Sequence, residues 1–230
     1  MHAPFRRLES AERPEPEALC EICQRLRPPF AKAAAYGLYE DHLRALIHLL
    51  KYERVTAVAR PLGALLAQIM LNMMHTIPDL PPECIVIAVP LHPLKERQRG
   101  YNQTVLLAEA AMRVLRREQK THSFHLARHV LERHRTTESQ SGLDARTRRR
   151  NLRGAFSVTH AKAIAGRTVW LLDDIYTTGA TARECARTLL AAGAERAFVA
   201  TLARSQREGV AFWDATPTRE PAREKGLQEM

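Results

Sequence analysis

The segment at residues 169–181, VWLLDDIYTTGAT, constrains this chain more than any other. Val169, Trp170, Leu171 and Leu172 form a short apolar run, as in a strand buried on both faces of a parallel sheet. Two acids, Asp173 and Asp174, end the run, and Thr177, Thr178, Gly179, Ala180 and Thr181 follow. A helical pattern then starts, with Ala182, Cys185, Ala186 and Leu189 on one inward face and Gly193 beyond its end. Strand, turn and helix in this order make the place where open α/β sheets collect ligands, outside the carboxyl ends of their strands. Gly179 supplies a backbone conformation that other residues resist, so successive N–H groups can converge on one point while threonine hydroxyls add donors. The start of the helix turns its positive dipole end to the same point. The segment therefore predicts a phosphate cradle. Thr181 and Glu184 also fit a capping box, which predicts a helix over 181–192. Acids beside such a cradle must address something other than the phosphate, such as sugar hydroxyls or a divalent cation carried with the ligand.

The remainder of the chain alternates in the same way. Leu43, Leu46, Ile47 and Leu50 recur at the spacing of one buried helix face, and a second helix runs from about Pro61 through Leu65, Leu66, Ile69, Met70 and Met73. Residues 84–89 are a continuous apolar run stopped by Pro90, and 198–202 form another strand pattern. After a basic loop, 102–117 reads as a helix with Val105, Leu106, Ala108, Met112 and Leu115 on its apolar side, and 124–131 is a strand candidate. Residues 133–151 are polar and Arg-rich, the composition of a mobile surface loop. Pro4, Pro14, Pro16, Pro28 and Pro29 mark the front of the chain as irregular. Such alternation of strands and helices predicts a doubly wound parallel sheet.

With 230 residues, 45% hydrophobic and 26% charged, the chain has the balance of a globular protein with one principal domain. The greasy stretch 62–74 is broken by Gln68 and Asn72 and reads as a packed helix, so membrane insertion is not expected. The opening residues lack the apolar core of a secretory signal, and the expected location is cytoplasmic. Cys20, Cys23, Cys84 and Cys185 are too few and too unevenly placed for a disulfide framework. A net charge of +10 favours polyanionic partners, either nucleic acid or small phosphorylated ligands, without choosing between them.

The order of apolar strand, Asp-Asp, two residues and Thr-Thr-Gly-Ala-Thr resembles the fingerprint of type I phosphoribosyltransferases. The resemblance implies an α/β fold with a central parallel sheet flanked by helices and a helical or irregular N-terminal hood. It further implies that Asp173 and Asp174 contact ribose hydroxyls while Thr177, Thr178, Gly179, Ala180 and Thr181 hold the 5-phosphate of phosphoribosyl pyrophosphate, with Mg2+ accompanying the donor. Two further segments resemble one subgroup, the ComF competence-protein family, which includes the GntX-like proteins. The first is VPLHPLKERQRGYNQT at 89–104; phosphoribosyltransferases bind pyrophosphate with the loop after this strand, and Lys95, Arg97 and Arg99 are its implied charge partners. The second is RTTESQSGLDARTRRRNLRGAF at 135–156, which corresponds to the loop that closes over the substrate. There Thr137, Gln140, Gly142, Leu143, Arg148, Asn151 and Phe156 match the subgroup's spacing.

LRALIHLLKY at 43–52 resembles the subgroup's N-terminal helix, and the likeness spans about 20–204. It departs at the front, where family members commonly carry more than one CxxC in a zinc ribbon. Only Cys20 and Cys23 remain, two ligands short of a structural Zn2+ site, with His2 and Cys84 as formal candidates. MHAPF resembles the stretch after an earlier Cys pair, so the expectation is that the reading frame starts late. The expected organisation is a remnant of the ribbon at 1–35, the phosphoribosyltransferase-like domain at 36–205 and a frayed tail at 206–230. Two functions stay open. One is phosphoribosyl transfer to an acceptor that no residue identifies. The other is a DNA-uptake accessory role, binding single-stranded DNA or competence proteins, with the phosphoribosyl site as sensor or relic. Only 6% of residues are aromatic, and none interleave with the arginines as a base-stacking platform requires. The sequence allows a homodimer without specifying its interface.

Overall fold

The computed structural model describes residues 27–135 and 151–205. Among these residues, seven strands and five α-helices with described bounds follow in chain order: β1 (Lys32–Leu38), α1 (Asp41–Tyr52), α2 (Ala59–Met74), β2 (Glu83–Ala88), α3 (Pro93–Arg99), α4 (Gln103–Glu118), β3 (Ser123–Leu126), β4 (Leu131–Arg133), β5 (Phe156–Val158), β6 (Thr168–Tyr176), α5 (Ala180–Ala191) and β7 (Arg196–Arg204). Five strands form one sheet in the order β1-β7-β6-β2-β3, with every neighbouring pair parallel, and β4 and β5 pair antiparallel beside it.

Alternation along the strands divides the core into two layers. Cys84 and Val86 of β2 and Trp170 and Leu172 of β6 face α1, α2 and α4, whereas Ile85, Ile87, Val169 and Leu171 face α5. Trp170 is fully buried, with Phe124 edge-on at 6.1 Å and Phe198 tilted at 5.1 Å. On the first face α2 and α4 approach closely at Gly63, where a Cβ would meet the carbonyl oxygen of Leu107 at 2.8 Å and the nitrogen of Ala111 at 2.9 Å. Residues Thr56–Met74 are long and apolar enough to cross a membrane by length and composition alone. Leu62, Leu66, Ile69, Met70 and Met73 of this stretch are instead core residues of the domain.

Several elements differ from the sequence expectation. β6 extends through Tyr176, so the two acids belong to the strand instead of following it. β1 was not foreseen; its Ala-rich sequence KAAAYGL has weak strand propensity, and pairing with β7 overrides this. The sheet thus begins at Lys32, ahead of the boundary expected at 36. The basic loop contains α3, with Pro93 in its first turn, the His92 ring nitrogen accepting from Leu94 N–H at 3.2 Å, and Gly100 closing it in the left-handed region. The expected strand over 124–131 is two strands in different sheets, separated by a turn in which His129 has φ +58. No capping box forms at α5. Gly179 occupies the cap with φ +67, Thr181 sits inside the first turn, and Glu184 reaches elsewhere.

Candidate functional site

β6 lies between β7 and β2, so its carboxyl end opens at the middle of the sheet. After Tyr176 the chain turns through Thr177 and Thr178 into Gly179. The Tyr176 ring packs directly under Gly179, where a Cβ would lie 2.5 Å from Cζ of the ring. A side chain at 179 is therefore barred twice, by positive φ and by the ring. The first helical bond joins Arg183 N–H to the Gly179 carbonyl at 2.9 Å. The N–H groups ahead of it have no intrahelical acceptor by construction and point toward the loop. Thr178 is buried and its hydroxyl accepts from Ala180 N–H at 3.4 Å, so these two residues shape the turn. Asp173, Thr177, Gly179 and Thr181 line one shallow depression together with Thr201 of β7.

The two acids part company at the strand end. Asp173 is half-buried and accepts from the N–H of Asp174 at 2.8 Å. Asp174 is 4% exposed and is held on both oxygens, by Lys51 Nζ of α1 at 2.8 Å and by Gln103 Nε2 of α4 at 2.7 Å. Gln103 also accepts from Arg99 of α3, whose guanidinium lies 5.6 Å from the centre of the Tyr52 ring. Burial alone would lower the Lys51 pKa, but Asp174 and then Asp173 more than reverse this, so the ammonium is held above its ordinary value. Burial first and the Asp174 charge second raise the Asp173 carboxyl to about 7, against the opposing pull of Lys51 and Arg133. Lys95 is lowered by burial and by Arg133, Arg99 and Lys51, which marks it as one of a group of neighbouring cations.

Of the residues singled out in the sequence, Asp173, Thr177, Gly179 and Thr181 converge and Thr178 and Ala180 support them, while Arg99 of α3 reaches Gln103, the partner of Asp174. Arg97 is exposed on α3 and makes no polar contact among the described residues, so the structure does not bring it into the site. Asn151 is exposed. Gln140, Arg148, Cys20 and Cys23 lie outside the described residues. Cys84 is wholly buried, with its thiol pushed up to about 11 by burial, and the buried Cys185 thiol is also raised well above its ordinary value, by burial and then by Asp173. Neither is placed as a metal ligand, and among the described residues no three His, Cys, Asp or Glu side chains cluster. Lys51, Gln103 and Arg133 were missed. The first two stand in segments that resemble the ComF subgroup, and that overlap was the available signal.

An all-parallel sheet carrying this acid pair, threonine turn and helix start on its central strand defines an α/β protein of the type I phosphoribosyltransferase-like class. Within that class, the chain belongs to the ComF competence-protein family. It is 34% identical over 186 residues to the DNA utilization protein YhgH of Escherichia coli O157:H7, covering 81% of this chain and 78% of the relative. Competence protein F of Haemophilus influenzae is 33% identical over 187 residues, with the same coverage of each chain. The YhgH protein of Salmonella typhi is 32% identical over 190 residues, covering 83% of this chain and 79% of the relative. No family profile matches the chain. Among solved structures, the allosteric regulatory enzyme of purine biosynthesis is similar over 63% of this chain and 26% of that one, at 18% identity and a TM-score of 0.35, too slight a likeness to carry an argument.

Proposed function

We propose that this protein binds phosphoribosyl pyrophosphate at the β6–α5 junction and transfers its phosphoribosyl group to an acceptor. The observation that carries this reading is the placement of a carboxylate, Asp173, in the same depression as the Thr177–Gly179–Thr181 turn at a helix start. Backbone N–H groups and threonine hydroxyls there suit the 5-phosphate, and Asp173 suits the ribose hydroxyls. Lys95, Arg99 and Arg133 supply positive charge for the pyrophosphate end, with the Arg guanidinium well matched to paired phosphate oxygens. Magnesium suits a site of this kind as a guest carried on the donor's own phosphates, since it ordinarily keeps waters and substrate oxygens in its shell. In the transfer, the bond from the first ribose carbon to pyrophosphate breaks and a bond to the acceptor forms. Negative charge near the sugar steadies the developing cation while the cations steady the departing pyrophosphate.

Isothermal titration with phosphoribosyl pyrophosphate and magnesium tests the reading, followed by an assay of pyrophosphate release against a panel of bases and amines. Asp173→Asn should weaken donor binding by at least about tenfold while leaving the melting transition in place, because a charge-assisted hydrogen bond is lost from a half-exposed group. Absence of donor binding in the parent protein would end the proposal. A second reading, an accessory role in DNA handling, is favoured by the net charge of +10 and by the names of the relatives, which concern DNA utilization and competence.

A further inference from the structure

The acid pair at the end of β6 is not a pair in its surroundings. Asp173 lines the depression beside the threonine turn, with one oxygen on the neighbouring Asp174 N–H. Asp174 projects away from that depression into a polar chain built by three helices. Its Oδ1 takes Lys51 Nζ at 2.8 Å, its Oδ2 takes Gln103 Nε2 at 2.7 Å, and Gln103 in turn accepts from Arg99. The side chains of Lys51 and Asp174 are 14% and 6% exposed, so this ion pair is nearly dry. Removing one member of such a pair strands a charge, whereas replacing both by neutral groups of similar size is commonly tolerated.

Resting on the donor-binding reading, we propose that Lys51 is a positioning residue that ties Asp174 to α1, so that the single acid Asp173 meets the sugar of the donor. Asp174 then serves as the anchor of α1 on the sheet instead of as a second sugar contact. The groups facing Asp173 are Asp174 on its own strand, Lys51 from α1, Arg133 from β4 and the Cys185 thiol from α5. Of these, Lys51 and Arg133 favour the carboxylate. Taking away the Lys51 charge alone leaves two carboxylates together and moves the titration of Asp173 to higher pH.

Asp173→Asn, Lys51→Met, Lys51→Arg and the double change Lys51→Met with Asp174→Asn separate these roles when titrated with phosphoribosyl pyrophosphate and magnesium from about pH 6 to about pH 9. Asp173→Asn is expected to lose roughly a hundredfold in donor affinity, and the double variant roughly threefold. Lys51→Met should move the pH midpoint of binding upward by about one unit, and Lys51→Arg should restore it. A double variant as weak as Asp173→Asn would put Asp174 on the sugar and overturn the proposal. So would an unmoved midpoint in a folded Lys51→Met protein. Where Lys51→Met does not fold, the double variant still decides. A parent protein that ignores the donor defeats the donor reading on its own, and the anchor is then read from the carbon resonance of the Asp173 carboxyl in free protein. An upward titration shift in Lys51→Met sustains the anchor, and no shift refutes it.

Discussion

Gly179 shows how narrow the tolerance at the junction is. Its φ of +67 and the Tyr176 ring beneath it leave no place for a methyl group, so Gly179→Ala must either lift the turn or push the ring out of the core. We expect a stability loss of ~1–3 kcal/mol in urea melts, together with weakened donor binding. A variant that kept parental stability would mean that the turn has room to relax. This glycine was legible in the sequence because a turn between strand and helix calls for one. Lys51 and Gln103 were not. They meet Asp174 across 123 and 71 residues of chain, and nothing local in an amphipathic helix or a basic segment marks either side chain for a distant carboxylate. The capping box failed for a related reason. Thr181 and Glu184 have the right spacing, but a glycine already fills the cap and Glu184 gains more from Gly154 N–H, at 2.5 Å, and from Arg187.

Among the elements, the closest fit is between α2 and α4. Exposed glycines in helices are improved by alanine by about 1 kcal/mol, yet Gly63 is buried and a Cβ there collides with Ala110 and with the backbone of Leu107 and Ala111. Gly63→Ala should therefore destabilise, by roughly 2 kcal/mol after the propensity gain is subtracted, as measured by denaturant melts. A stabilised variant would show that the two helices slide apart at no cost. Elements with strong apolar runs, β2, β6 and β7, were readable because burial on both faces writes itself as continuous hydrophobicity. β1 was hidden because alanines carry no strand signal, and its sheet pairing with β7 spans the whole domain in sequence. α3 was hidden behind its charges, although His-Pro before it and Gly100 after it are start and stop signals in plain view.

At the scale of the molecule, the excess of 35 Lys and Arg over 25 Asp and Glu decides how the DNA reading is tested. If single-stranded DNA is a partner, the logarithm of its affinity should fall linearly with the logarithm of salt concentration, with a slope proportional to the number of phosphates neutralised. A flat response would leave the charge as a general property of the surface. If single-stranded DNA drew on Lys95, Arg99 and Arg133, added phosphoribosyl pyrophosphate should compete for them and reduce the salt slope; an unchanged slope would place DNA elsewhere on the surface. A different lesson lies at the base of the hairpin formed by β4 and β5. His134 N–H bonds to the Ala155 carbonyl at 3.1 Å, the His134 ring meets the Gly154 carbonyl at 3.0 Å, and Glu184 of α5 clasps Gly154 from below. The base of the hairpin is thus closed by backbone and side-chain bonds from both of its strands and from α5, so prying it open would break several of them together and disturb the helix that begins at the junction.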